Sequence, residues 1–117
     1  MRLLFIVLNK TDKLDELLSQ FAAKKICDAT VVESMGMATM LSQKYDDNEI
    51  PLLASLRQYL NPDRTKNYTI FAVIDDDKLP EIVETIESVI GDLSCRDTGI
   101  VFSVPIDYTK GICGFGK

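Results

Sequence analysis

The sequence predicts an α+β fold built from two consecutive βαβ units, with both helices on one face of an antiparallel sheet. Three observations carry this expectation. The chain repeats itself without a gap: LLFIVLNKTDKLDELLSQF, from Leu3, aligns with YTIFAVIDDDKLPEIVETI, from Tyr68. Within each copy an apolar, strand-like run gives way to a helical period. A second strand-like run then follows each helix.

The first run, Leu3 to Leu8, is apolar throughout and far too short to span a membrane, so it reads as a buried strand. No small-residue cleavage site follows it, which speaks against a secretory leader. Leu14, Leu17, Leu18, Phe21 and Ala22 then recur at the i, i+3, i+4 spacing of one buried helix face, with Asn9 or Thr11 as the expected cap. The next strand is ATVVESM, Ala29 to Met35.

In the second copy the strand is Tyr68 to Ile74. Leu79, Ile82, Val83, Ile86, Val89 and Ile90 form the helix face, with Asp76 or Asp77 as cap, Pro80 in the first turn and Gly91 as the stop. GIVFSV, Gly99 to Val104, is the last strand. Asp12-Lys13-Leu14 falls on Asp77-Lys78-Leu79 and Glu16 on Glu81, so the repeat reaches beyond a shared hydrophobic pattern. The order β-α-β, β-α-β is that of a ferredoxin-like fold. Its helices cover one face of the sheet, so the other face calls for a partner subunit.

The 117 residues fit one domain, 1–117, interrupted by an insertion at 37–67. Met35-Gly36-Met37-Ala38-Thr39-Met40 opens it with an adaptable, Met-rich surface. Tyr45-Asp46-Asp47-Asn48-Glu49 reads as a solvated acidic loop without the glycine or spacing of a calcium site. In Ile50 to Leu60, residues Leu52, Leu53, Leu56 and Leu60 share a helix face, with Asn48 as cap. Such an insertion is a place for function, and Met40, Leu53, Leu56 and Tyr59 are its candidate partner-binding residues.

Composition narrows the function. A net charge of −5 without a basic cluster speaks against nucleic acid as partner. The absence of His removes the commonest general base and metal ligand. The three cysteines, Cys27, Cys95 and Cys113, form no CxxC pair and read as reduced thiols in a cytoplasmic protein. No metal site and no catalytic residues are expected, and the chain reads as a non-enzyme. The tail from Gly111 fits G-x-x-x-x-G-K but lacks the Ser or Thr and the helix that a phosphate loop needs. Lys110 and Lys117 remain as anion contacts there. In GDLSCRDTG, from Gly91, the donors of Ser94, Arg96 and Thr98 suit an anion nest, opposed by Asp92 and Asp97.

These segments together resemble the PII nitrogen-regulatory family. The opening RLLFIVLNKTDKLDELL is similar to the start of those proteins. Ala29 to Gly36 is similar to their second strand, which ends in Gly before the long T-loop. Asp97 to Asp107 (DTGIVFSVPID) is similar to their B-loop, last strand and its continuation. The resemblance implies a homotrimer with a small molecule, an adenine nucleotide or other anion, in clefts between subunits. It further implies control of a partner protein such as a transporter or metabolic enzyme, without membrane insertion. Val7, Thr30, Gly36, Met37, Arg96, Thr98, Gly99 and Lys110 are the ligand-binding residues it implies. The chain departs from the family at four places. Ile100 follows Gly99 where a Lys is usual, Gly111 and Cys113 stand near the usual Arg-x-Arg, Met40 stands at the T-loop Gln, and Tyr45 lacks the context of the T-loop's modified Tyr. These departures imply a ligand other than ATP with 2-oxoglutarate. The competing expectations are a ligand-free protein-interaction module and a metal-binding trimer of the CutA type.

Overall fold

The structure, a computed structural model, describes residues 1–61 and 64–112. It is an α+β domain with four strands: β1 (Arg2–Leu8), β2 (Thr30–Ser34), β3 (Asn67–Ile74) and β4 (Gly99–Pro105). The helices are α1 (Leu14–Ala23), α2 (Met37–Lys44), α3 (Leu52–Arg57) and α4 (Leu79–Ile90). The sheet order is β2-β3-β1-β4, and every neighbouring pair is antiparallel. β1 and β2 are thus parallel to each other with β3 between them, an order compatible with a ferredoxin-like fold.

Alternation along β1 decides which side chains meet the helices. Leu4, Ile6 and Leu8 are buried, together with Ile70, Ala72 and Ile74 of β3. They close one core with Leu17 and Phe21 of α1 and Ile82, Ile86, Val89 and Ile90 of α4. Truncating such a residue to Ala costs about 2–5 kcal/mol. Ala22, expected on the buried face of α1, is exposed, because that face narrows to Leu17 and Phe21 with Leu14 and Leu18 at its edge.

Neither long helix uses the expected side-chain cap. Each is entered through a 3-10 turn instead, Thr11–Lys13 before α1 and Asp76–Lys78 before α4. The turn supplies the backbone bonds that a cap would have made. Gly91 ends α4 as expected, at φ 94°, and Lys10 Nζ donates to the Ile90 carbonyl at 2.7 Å.

The segment 37–67 differs most from expectation. Residues 37–44 form a helix where only a Met-rich surface was expected. Met, Ala, Leu, Gln and Lys are good helix formers, and Gly36 enters in extended conformation. Helix α3 is shorter than the expected Ile50 to Leu60. Asp46, not Asn48, organises its approach: the Asp46 carboxylate accepts from the Asn48 and Glu49 N–H groups, and Glu49 answers on the Asp46 N–H at 3.2 Å. This is a reciprocal box of the capping type. Leu53 is wholly buried, outside the main core, where α2 and α3 pack together.

Gly99 sits where β4 passes closest to β1. A Cβ there would lie 2.6 Å from the Val7 carbonyl oxygen. Gly99→Ala is therefore expected to lower stability by about 1–3 kcal/mol in a urea or thermal melt. Gly36→Ala, whose Cβ meets nothing within 4 Å, should leave the melt within about 0.5 kcal/mol of the parent.

Candidate functional site

One end of the sheet carries a cavity of about 350 Å³. β1 and β2 end there, and β3 and β4 begin there. The walls come from Val7 and Asn9, from Gly36 to Thr39, from Tyr59 to Asn61, from Arg64 to Asn67, and from Asp97 and Ile100. The two ends of the 37–67 segment thus face each other across it.

A polar chain crosses the sheet at this end. Ser34 Oγ donates to Asn67 Oδ1 at 2.5 Å, which leaves Thr69 Oγ1, 2.8 Å away, as donor to Ser34. Asn67 Nδ2 in turn donates to Asn9 Oδ1 at 3.3 Å. β2, β3 and β1 are so tied by uncharged groups, each satisfied by its neighbour.

Arg64 ties the loops above them. It lies 3.5 Å from both Asp12 and Asp97 and donates to the Asn9 carbonyl at 3.2 Å. Asn61 Nδ2 donates to Asp97 Oδ2 at 2.9 Å. Asp97 reaches both from a left-handed backbone, φ 58°, a conformation that Asp tolerates better than most residues. Lys66 pairs with Glu33 on the edge strand β2, and that hydrogen bond and charge push its pKa upward, so it stays cationic. Among the described residues Arg96 has no such carboxylate. Its guanidinium lies outside the lining, 4.5 Å from the centre of the ring of Tyr59, which is part of the cavity wall.

The residues implied by the resemblance divide between two places. Val7, Gly36 and Met37 line the cavity, Gly99 precedes the lining Ile100, and Arg96 reaches it through Tyr59. Thr98 is 1% exposed and donates to the Arg96 carbonyl, so its hydroxyl is spent inside the loop. Thr30 lines a different groove, of about 440 Å³, with Leu3, Phe71 and Ile112. Lys110 is exposed beside it, because the chain after β4 continues at the opposite end of the sheet from the cavity, where Ile106 N–H meets the Met1 carbonyl. Cys113 and Lys117 lie outside the described residues.

The expected partner residues divide as well. Met40 and Tyr59 are exposed, Leu56 is half-buried, and Leu53 is 0% exposed. Leu53 therefore serves the α2–α3 contact and is not a docking residue. Met37, at 74% exposure, and Leu52 present the apolar surface that the sequence placed on Leu53.

Asn9, Asn61, Arg64, Lys66 and Asn67 were not expected at a site. The run Arg64-Thr65-Lys66-Asn67 before β3 was the available signal: two cations at the start of a strand.

The other face of the sheet carries an apolar patch that is largely exposed among the described residues. Register sets Phe71, Phe5 and Phe102 side by side across β3, β1 and β4. Phe5 stacks on Phe102 with ring centres 4.9 Å apart. Ile100 and Phe102 are 59% and 47% exposed, and Val32 and Val104 extend the patch.

Within the loop before β4, Ser94 donates both its hydroxyl and its N–H to Asp92. These bonds hold the Asp92 carboxyl below the usual carboxylate range. The stability they add is present at neutral pH and is lost as pH falls through that lowered pKa. Ser94→Ala should return the Asp92 midpoint toward that of a free aspartate in an NMR pH titration. An unchanged midpoint would show that the loop is held by other means.

No family model matches the chain, and no curated protein does. The crystal structure of a functionally unknown protein from Pediococcus pentosaceus ATCC 25745 is similar to it, with a TM-score of 0.62 and 14% identity. The match covers 95% of this chain and 96% of that one, and at this identity it speaks for the fold alone.

Proposed function

We propose that the chain is a PII-like regulatory protein: a homotrimer that binds a small molecule at the described cavity and controls a partner protein, without catalysis. The observation that carries this reading is the position of the cavity. It lies between the two ends of the 37–67 segment and opens beside the apolar sheet face through Val7 and Ile100. A neighbouring copy covering that face would border the ligand, and the ligand would touch the segment offered to the partner.

In the same reading the fold is a duplicated βαβ with the insertion between its halves. What supports the duplication is position: in the gapless alignment Arg2, Thr11 and Leu14 fall on Asn67, Asp76 and Leu79. These are the starts of strand, 3-10 turn and helix in each half. The target, a transporter or metabolic enzyme, would meet Met37, Met40 and Leu52 on α2 and α3. An adenine nucleotide is the first ligand to try. The competing readings are a ligand-free interaction module and a metal-binding trimer. Among the described residues no group of three acidic or thiol side chains could hold a metal ion.

Light scattering should give a mass three times the 13.1 kDa of the chain, and Phe102→Asp should reduce it to the single-chain mass. A monomeric parent protein sinks the trimer reading. Met37→Asp together with Leu52→Asp should abolish capture of the target while leaving the mass unchanged.

A further inference from the structure

Resting on the reading of the cavity as a ligand site, we infer that its ligand carries a single anionic group, such as one terminal phosphate, on an uncharged, hydrogen-bonding body, and that Arg96, which stands against Tyr59 of the cavity wall, receives that group. The argument is one of charge balance. Two cations line the cavity, Arg64 and Lys66. Arg64 stands between Asp12 and Asp97, and Lys66 is bonded to Glu33. Three carboxylates therefore stand against two cations.

A ligand with three or four charges finds no unspent cation among the described residues of this wall. To reach Arg64 or Lys66 it must displace a carboxylate, which exchanges one ion pair for another and leaves the displaced charge nearby. Like charges a few ångströms apart repel, the more strongly where water is excluded. The chain as a whole adds no compensation, since a neighbouring copy brings the same net charge of −5.

Arg96 is different. Its partner is the neutral face of Tyr59, which holds the guanidinium plane at 4.5 Å from the ring centre without neutralising it. Its planar fork of donors matches one phosphate or carboxylate group. The remaining wall suits a body that is polar without being charged. Asn9 accepts from Asn67 through Oδ1 and keeps its Nδ2 donors, and Thr39 stands across from it. Met37 and Tyr59 supply apolar surface for a flat ring.

The test is calorimetric titration of the full chain with adenosine, AMP, ADP, ATP and inorganic phosphate at one ionic strength. AMP is expected to bind about tenfold or more tightly than adenosine, the gain of one charge-assisted contact. ADP and ATP should bind no more tightly than AMP, and phosphate alone more weakly. Arg96→Gln should bring AMP down to the affinity of adenosine while adenosine itself is unmoved, and Arg96→Lys should retain part of the preference. Circular dichroism on each variant checks folding, which this exposed side chain is not expected to affect. Affinity rising from AMP to ATP overturns the inference of a single anionic group and leaves the ligand site standing. An AMP preference untouched by Arg96→Gln overturns the role of Arg96. Binding by none of the five probes overturns this inference and the nucleotide reading on which it rests.

Discussion

β1 is apolar on both of its faces, and the rest of the molecule is arranged around that constraint. From Leu3 to Leu8 it has no polar side chain, and it pairs on both edges, with β3 and with β4. A strand of this kind is stable only where both faces are covered. Leu4, Ile6 and Leu8 find cover beneath α1 and α4. On the other face Phe5 and Val7 lie beside residues of β3 and β4, and Leu3 also lines a groove with Ile112. The energy that fixes the register on the helix side therefore commits the chain to an apolar surface on the other side. A slip of one residue would merely exchange the two sets. Register is instead pinned by features at the strand ends, above all by Gly99 against the Val7 carbonyl and by the hydrogen-bonded Ser34, Asn67 and Asn9.

Of those pinning groups, Val7, Asn9 and Asn67 also line the cavity. The end of the sheet where β1 and β2 stop, and β3 and β4 begin, must satisfy polar backbone and carry four connections. The side chains that do so, Asn9, Asn67 and Arg64, are the ones left facing the space between the loops. Structural and candidate ligand roles thus coincide there. A variant of Asn67 or Arg64 perturbs both together, whereas Arg96, which rests on an aromatic face outside the hydrogen-bonded network, separates them.

The two long helices, the four strands and most of the core were legible in the sequence because each rests on a local period. The gapless repeat sharpened the boundaries, and Leu17, Phe21, Ile82 and Ile86 fall where the period puts them. Helix α2 was not legible, because Met37 to Lys44 has helix-forming composition without an apolar face: no residue in it is buried. Leu53 misled for the opposite reason. Its helical spacing marks an apolar face, and spacing alone does not say whether that face is turned to solvent or to a neighbouring helix. The site was half legible. Val7, Gly36 and Met37 were found through a resemblance of order and spacing. Asn9, Asn61 and Arg64 meet only through tertiary structure, across 52 and 55 positions of sequence, and no local pattern announces such a meeting.

The cavity also bears on how a ligand could act at a distance. A ligand shifts a conformation only by contacting two arrangements of the chain differently. Its walls include the first turn of α2, at Met37 to Thr39, and the far end of the same excursion, at Tyr59 to Asn61. Between these lies the surface formed by Met40 and Leu52. Arg64 and Asn61 tie the far wall to Asp97 by an ion pair and a hydrogen bond. Half-buried contacts of this sort are worth on the order of 1 kcal/mol each. A single charge-assisted contact from Arg96 to a ligand is of at least that size. Coupling between cavity and segment then needs no large binding energy: a ligand that draws Arg96 from Tyr59 removes one contact made by the far wall. A rigidly packed insertion could not respond to so small a term, and the lack of buried side chains along α2 is what permits it.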